Sequence, residues 1–505
     1  MSFKFACFAL LSLSLTCFLG KSYESTIPAT DTGTYAYLGL DTTGHGVLPK
    51  LPMSKTSEGG HWGDSGYREM PFTFPYLSGV TQRIFGPSAW SARLLSGLFS
   101  VTCVMLTVLL GNLYYSPLHG FFAGLILLMT REFVGDGINS HLDNVMSVWI
   151  LLAFIAVQLR KYAWAGVFSG VGLWFKSPVA FLLLPTWFLK CLVRREYSLL
   201  PKVIAVSVVA LATGSLIWIA TGGLGGWDLV SDYWVKQVWG TAVGGRGEAQ
   251  ARNPFLFLQI LRSFYMPWSL FLIWGIFDRF QKKKMREDAF LMPGLAALIL
   301  IVIVSLMKFK YGHYFMPAFP FLSIMAAIPL AQFSERFREK IYAGFFATVL
   351  VLTGFLLCTP ISLSPESFPA FKRFAAYIQS YGSCADQVLY VAGAHPYGGF
   401  EDYQQLIRFY TGRQALEASC AQASARANQA SVKWVLLEYS DRERCLTREV
   451  RARFPKTILF GNQVLLSAEI PATSELDLTP LLRELRAATD CHAAPLPRDR
   501  YSAYD

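Results

Sequence analysis

Apolar runs long enough to cross a bilayer recur along most of the first 360 residues, and they fix the class of this chain before any single residue is read. Roughly twenty apolar residues make one helical crossing. About eleven such runs can be placed, at 3–20, 89–112, 117–130, 144–159, 162–175, 178–193, 200–220, 267–280, 290–307, 314–332 and 341–359. So much apolar length does not fit inside one water-soluble core. The chain is 53% hydrophobic and only 16% charged, where a soluble domain carries about a quarter charged residues. We read an α-helical polytopic membrane protein with about 11–13 transmembrane helices. Its first run, "FKFACFALLSLSLTCFLG", has no clear small-residue cleavage site and is followed by further spans, so it reads as an uncleaved anchor.

Loop charge sets the expected orientation. The basic clusters are "RK" at 160–161, "KCLVRREY" at 190–197, "RFQKKKMRE" at 279–287 and "ERFREK" at 335–340. With the N-terminus in the cytoplasm all four fall on the cytoplasmic side, as the positive-inside rule requires. The same rule accounts for the net charge of +11 without any nucleic-acid partner. Segments 21–88, 131–143, 175–178, 221–266 and 307–313 then face outward, with the tail from 360.

That outer face collects charge of both signs. It holds Asp31 in "PATDTGTYAYLG", Glu69 in "GGHWGDSGYREMPFTFPYL", Asp136 and Asp143 in "REFVGDGINSHLDNVM", Lys176 in "GLWFKSPVAFLLLP", and Lys308, Lys310 and His313 in "MKFKYGHYFMPAFPF". A charge inside the bilayer costs about 2.5–3.5 kcal/mol on insertion scales. Acids and bases gathered at one surface therefore suggest a wet cavity, whose lysines would hold an anion, most simply a phosphate. Each residue also has a plainer reading. The lysines can snorkel to lipid headgroups. Asp143 can belong to a capping box, "SHLD", opening the span at 144. Asp31 and Gly33 can form an ordinary turn, and His313 can simply end a helix. His61, Asp64 and Glu69 are candidate ligands for a divalent metal, at a spacing that matches no strong pattern.

Six motifs follow one another along residues 1–360: "DTGTYAYLG", "YREMP", "FGPSAWSARLLSGLFS", "HLDNVMSVWILLAF", "GVFSGVGLWFKSPVAFLLLP" and "KFKYGHYFMPAFPFLSI". In kind and order they resemble those of the GT-C glycosyltransferases of family 39 and relatives, which include the aminoarabinose lipid A transferases and the dolichyl-phosphate-mannose–protein mannosyltransferases. The resemblance implies a GT-C-like fold and transfer of one sugar from a polyprenyl phosphate to a lipid or protein acceptor at the outer face of the inner membrane. It also implies roles. Asp31 would be the base and Glu69 a second carboxylate, for acceptor or metal. Lys176, Lys308, Lys310 and His313 would lie near the donor phosphate, while Tyr35, Tyr67 and Asp143 would orient the site. No cofactor is certain, and a divalent metal is an open possibility. Such a transfer needs a deprotonated nucleophile and cations on the leaving phosphate, and one principal base implies a single displacement with inversion. Thr32, Thr34, Met70 and Ser177 depart from the aminoarabinose branch and put that sugar in doubt.

The loop 221–266 is rich in Gly and Trp and reads either as a lid or as a passive interfacial connection. Residues 361–505 read as a small extracytoplasmic α/β domain, with strands at "DQVLYVAG", "KWVLLEYS", "TILFG" and "QVLLSAE" and a helical stretch at "FEDYQQLIRFYTG". Its Cys384, Cys420, Cys445 and Cys491 are expected to form at least one disulfide in an oxidising compartment. The competing functions are a transporter or flippase and a membrane-anchored scaffold. Against the first, no internal repeat is visible and the charges gather at one face.

Overall fold

The computed structural model describes residues 3–20, 31–45, 71–139, 141–225, 227–243, 255–263, 265–308 and 311–358. Towards the C-terminus it describes 374–375, 378, 381, 386–392, 407, 411, 414–438, 445–460 and 463–468. The chain falls into two compact units. One comprises Met1–Glu24, Tyr67–Phe74 and Leu94–Ser364; the other comprises Ser25–Gly66, Pro75–Arg93 and Pro365–Asp505.

Helices stand at all eleven places where apolar runs were read. They are α1 (Phe3–Leu15), α4 (Ala89–Tyr114), α5 (Pro117–Leu128), α7 (Leu142–Gln158), α8 (Tyr162–Leu173), α9 (Leu183–Arg194), α10 (Leu200–Gly225), α14 (Trp268–Gln281), α15 (Asp288–Leu306), α16 (Phe319–Ser334) and α17 (Arg338–Cys358). Among the described residues, five helical segments are by themselves long and apolar enough to cross a membrane, or up to seven if two bent pairs each count once. The bent pairs are α6 (Arg131–Ile138) with α7, at 110°, and α13 (Leu256–Ser263) with α14, at 109°. Some of the other helices are shorter. At 1.5 Å per residue the 12-residue helices α5 and α8 reach only about 18 Å, short of a hydrocarbon core of about 30 Å.

Close packing in the first unit depends on small residues. A Cβ on Gly120 of α5 would lie 2.2 Å from the Val108 carbonyl oxygen of α4, and one on Gly170 of α8 would lie 2.6 Å from the Ala210 carbonyl oxygen of α10. Glycine there lets backbones touch where lipid gives helices little other reason to associate.

Three of the four basic clusters close helices in a common way. Arg160, Arg195 and Lys283 each take a left-handed conformation, with φ of 57°, 58° and 56°. The next amide donates back five residues in each case: Lys161 to Ala156, Glu196 to Cys191 and Lys284 to Arg279. These are Schellman closures, and the cations beside them meet the negative ends of the helix dipoles. An ion-pair network joins α9 to α15. Lys190 pairs with Glu196 at 2.5 Å and Asp288 at 3.2 Å, and Arg194 pairs with Asp288 at 2.5 Å.

In the second unit α2 (Asp31–His45) and α3 (Thr73–Phe85) approach until a Cβ on Gly79 would lie 2.0 Å from the Gly39 carbonyl oxygen. Gln82 Nε2 donates to the Ala36 carbonyl at 3.0 Å. The turn read at Asp31 and Gly33 is therefore replaced by helix. The unit also holds a five-stranded sheet of order β2-β1-β3-β5-β4. Its strands are β1 (Gln387–Ala392), β2 (Gln414–Ser419), β3 (Val432–Glu438), β4 (Lys456–Phe460) and β5 (Gln463–Ser467). Parallel β2 and β3 flank β1, and β5 runs antiparallel to β3 and β4. Four strands lie where read. The fifth, "QALEAS", is too weakly apolar to declare itself and is held by its pairing with β1. Cys420, opening α18 (Cys420–Ala427), is bonded to Cys445, just before α19 (Arg448–Arg453). One bridge among the four cysteines was expected, with its pairing left open; Cys384 and Cys491 lie outside the described residues, as does most of "FEDYQQLIRFYTG".

Candidate active site

The sharp bend between α6 and α7 builds one wall of the site. Asn144 Nδ2 donates to Ser100 Oγ at 3.1 Å and to the Phe133 carbonyl at 3.3 Å, pinning the first turn of α7 to α4 and α6. That turn carries Asp143, which is 1% exposed, at the positive end of the helix. The N-cap is His141, which makes no side-chain capping bond. Ser140, the residue that would open a capping box in "SHLD", lies outside the described residues, while Asp143 stands as an acid in the first turn of the helix, as that reading has it.

Lys176 supplies the opposing charge. It follows α8 in a bend closed by Pro178, which starts a 3₁₀ helix (Pro178–Leu182) and holds Ser177 extended, φ −151° and ψ 166°. The Lys176 ammonium donates to Asp143 Oδ2 at 2.5 Å and lies 5.4 Å above the Tyr314 ring. The Tyr233 hydroxyl donates to the Lys176 backbone carbonyl. Tyr233 is buried and stacks on Trp218.

The third wall is a 3₁₀ helix, Gly312–Ala318. Its His313 ring stacks on Tyr311 and meets His141 edge-on, with centroids 5.1 Å apart. One ligand atom each from His141, Asp143 and His313 lies within 4.8 Å of the others. Behind them His141 Nδ1 is 3.7 Å from Asp136 Oδ1. Helix α6 has eight residues, about 12 Å, too short to cross a bilayer. On it, burial pushes the Asp136 carboxyl up to about 7, with His141 pulling the other way, and burial also raises Glu132.

Of the residues singled out from sequence, Asp143, Lys176 and His313 come together. Lys308 is exposed, its amide donating to the Ala242 carbonyl at 3.1 Å. Asp31 opens α2 and Tyr35 is buried in the same helix, both in the second unit. Glu69, Tyr67, Lys310, His61 and Asp64 lie outside the described residues, as does the Asp31 side chain. Sequence reading passed over His141, Tyr233 and Tyr314 as site residues. The spacing of His141 and Asp143 was visible in "HLD". No local signal marks Tyr233, which sits in the segment read as a lid. A buried acid bonded to a lysine, with two imidazoles and a phenol alongside, can hold an anion on its cations or a cation on its carboxylate and imidazoles.

Residues 69–218 match the family model described as dolichyl-phosphate-mannose-protein mannosyltransferase. Among curated proteins, the undecaprenyl phosphate-alpha-4-amino-4-deoxy-L-arabinose arabinosyl transferase 1 of Pseudomonas fluorescens Pf0-1 is 26% identical over 339 residues, 63% of this chain and 58% of that protein. The corresponding transferase 2 of Proteus mirabilis is 23% identical over 61% of this chain and 59% of its own length. The chain thus spans under two thirds of these relatives. Among solved structures, ArnT from Cupriavidus metallidurans bound to undecaprenyl phosphate superposes with a TM-score of 0.68 at 13% identity, covering 93% of this chain and 98% of that one. The archaeal oligosaccharyltransferase AglB from Archaeoglobus fulgidus, with an inhibitory peptide and a dolichol-phosphate, gives 0.54 at 12% identity, over 93% and 75%.

Proposed function

We propose that this chain, a family 39-like member of the GT-C superfamily, is a membrane glycosyltransferase that moves one sugar from a polyprenyl-phosphate donor to a lipid or protein acceptor. The observation that carries the reading is the Asp143–Lys176 pair beside His313 and Tyr314. Relatives named as undecaprenyl-phosphate-sugar transferases, and an ArnT structure holding undecaprenyl phosphate, support the donor class.

In this reading the Lys176 ammonium is held ready by Asp143 and by the Tyr233 bond to its backbone, then turns part of its charge to the donor phosphate. His313 and Lys308 add to that positive field. The acceptor oxygen attacks the anomeric carbon while its proton passes to Asp31. The bond from that carbon to the phosphate oxygen breaks, its electron pair stays on the phosphate, and the sugar inverts. Cations on the departing oxygen lower the barrier because charge grows there as the bond opens. Glu69 steadies the acceptor or a metal, with Tyr35 and Tyr67 orienting the sugar. Met70 and Thr34 argue for a sugar or acceptor other than those of the aminoarabinose branch. The basic clusters support an inner-membrane placement with the N-terminus cytoplasmic and the C-terminal domain periplasmic.

Membranes containing the protein, supplied with a radiolabelled polyprenyl-phosphate sugar, test this. Label is expected in a lipid or protein product. Label that crosses the bilayer while still on its polyprenyl phosphate would instead identify a flippase.

A further inference from the structure

We propose that His141, Asp143 and His313 form a binding site for one divalent transition-metal ion of the zinc class. One ligand atom from each lies within 4.8 Å of the other two. Three such points fit inside a circle of radius 4.8 Å divided by √3, so an ion at its centre lies at most about 2.8 Å from each. Zinc sits about 2.0–2.2 Å from imidazole nitrogen and carboxylate oxygen. Small side-chain rotations therefore close the shell, and no backbone need move.

The donor set selects the metal. Two imidazoles and one carboxylate suit zinc and its neighbours in the first transition row, whereas magnesium and calcium prefer oxygen alone. Three protein ligands leave a coordination position open. The surroundings fit a metal histidine as well. His141 Nδ1 is buried and makes no hydrogen bond, yet it faces Asp136 Oδ1 at 3.7 Å. A small rotation of the ring would bring that nitrogen into hydrogen-bond reach of the carboxylate, which would then fix the tautomer and leave the other nitrogen for the ion. Asp136 Oδ2 is also buried without a hydrogen-bond partner, so this carboxyl group has capacity to spare for the histidine. Lys176 takes Asp143 Oδ2, leaving the second oxygen of that carboxylate for the ion.

The site has a consequence for Lys176. An ion drawing on Asp143 weakens its hold on the ammonium, which then turns more readily to a phosphate. That role rests on the glycosyltransferase reading; the metal site rests on the geometry alone.

The test uses the full chain, purified in detergent, stripped with chelator and re-supplied with Zn²⁺ or Co²⁺. One tightly bound equivalent is expected by elemental mass spectrometry, with visible Co²⁺ bands of a nitrogen–oxygen site. His141→Ala and His313→Ala, checked as monodisperse, should each lose that equivalent. Asp136→Asn should weaken affinity about 10–100-fold, as loss of an outer-shell partner does. Absence of bound metal and of Co²⁺ bands in the unmutated chain overturns the proposal without recourse to any variant. So does binding by both histidine variants that is undiminished from that of the unmutated chain. Sugar transfer measured on the same samples separates the two readings. Full transfer by a chain that binds no metal sinks the metal site and spares the reaction, whereas one bound metal without transfer does the opposite.

Discussion

Lys176 Nζ and Asp143 Oδ2 meet at 2.5 Å although 33 residues separate them, with Asp143 2% and Lys176 16% exposed at the side chain. Removing one partner of a buried pair leaves the other charge uncompensated, at about 3–5 kcal/mol, whereas replacing both with apolar groups is close to neutral. Lys176→Met and Asp143→Leu are each expected to lower the unfolding temperature in detergent, and the double variant to recover most of it. Transfer should be lost in all three. Thermal unfolding beside a transfer assay checks this. Recovery of activity together with stability in the double variant would show that the pair is only structural.

Tyr233 acts through Lys176 and is a positioning residue. Its hydroxyl donates to the Lys176 carbonyl from inside the Trp218 stack. Tyr233→Phe keeps the ring and deletes the bond, at about 1–3 kcal/mol for an orphaned buried carbonyl. A small shift of the ammonium should then raise KM for the donor and cut kcat/KM about tenfold or more. A loss of stability with unchanged KM would contradict the assignment.

Asp31 is proposed as the base. Asp31→Asn is isosteric and takes no proton, so transfer should fall about 10²–10⁴-fold while the amount of protein in the membrane stays constant. An acceptor whose attacking group is already ionised would not need this base. A variant that still transfers at the full rate would point to a phosphate acceptor and remove Asp31 from the chemistry.

Cys420 and Cys445 are 25 residues apart in sequence. Closing a loop of that length restricts the unfolded chain by about 3.5 kcal/mol. Cys445→Ser should therefore destabilise the sheet-containing unit by roughly that amount, and dithiothreitol should do the same to the unmutated protein. Protease susceptibility of strands β1–β5 reads the effect.

The helices were legible because apolar length is a one-dimensional signal, and every expected span carries a helix. Their reach across a bilayer was less legible. The short helices α5 and α8 and the bent pairs α6–α7 and α13–α14 follow from packing, which hydropathy does not encode. Within the site, Asp143, Lys176 and His313 announced themselves as charges beside apolar runs. Tyr233 and Tyr314 did not, since an aromatic residue near a span boundary is commonplace. His141 was passed over because His313, the ring it meets, comes from a distant segment and only the fold brings the two together. Strand β2 was missed for a related reason, because its place comes from pairing with β1 rather than from its own residues.

Orientation can be tested on the helix ends themselves. Arg160, Arg195 and Lys283 sit left-handed at Schellman closures in three separate basic clusters. An L-residue pays about 1–2 kcal/mol for that conformation where glycine pays little. Basic side chains in place of glycine make sense if each cluster anchors its loop on the cytoplasmic side. A cysteine placed at Lys283 should react with a membrane-impermeant maleimide only after the cells are opened, and one at the exposed Lys308 should react in intact cells. Cys7 and Cys17 would be replaced by serine beforehand, because both are only partly buried. Substituting glycine at Arg160 and Arg195 together should raise thermal stability while increasing the fraction of Lys283→Cys chains labelled from outside. Labelling of positions 283 and 308 from the same side would contradict the assigned topology, and with it the placement of Lys308 beside an outward-facing donor phosphate.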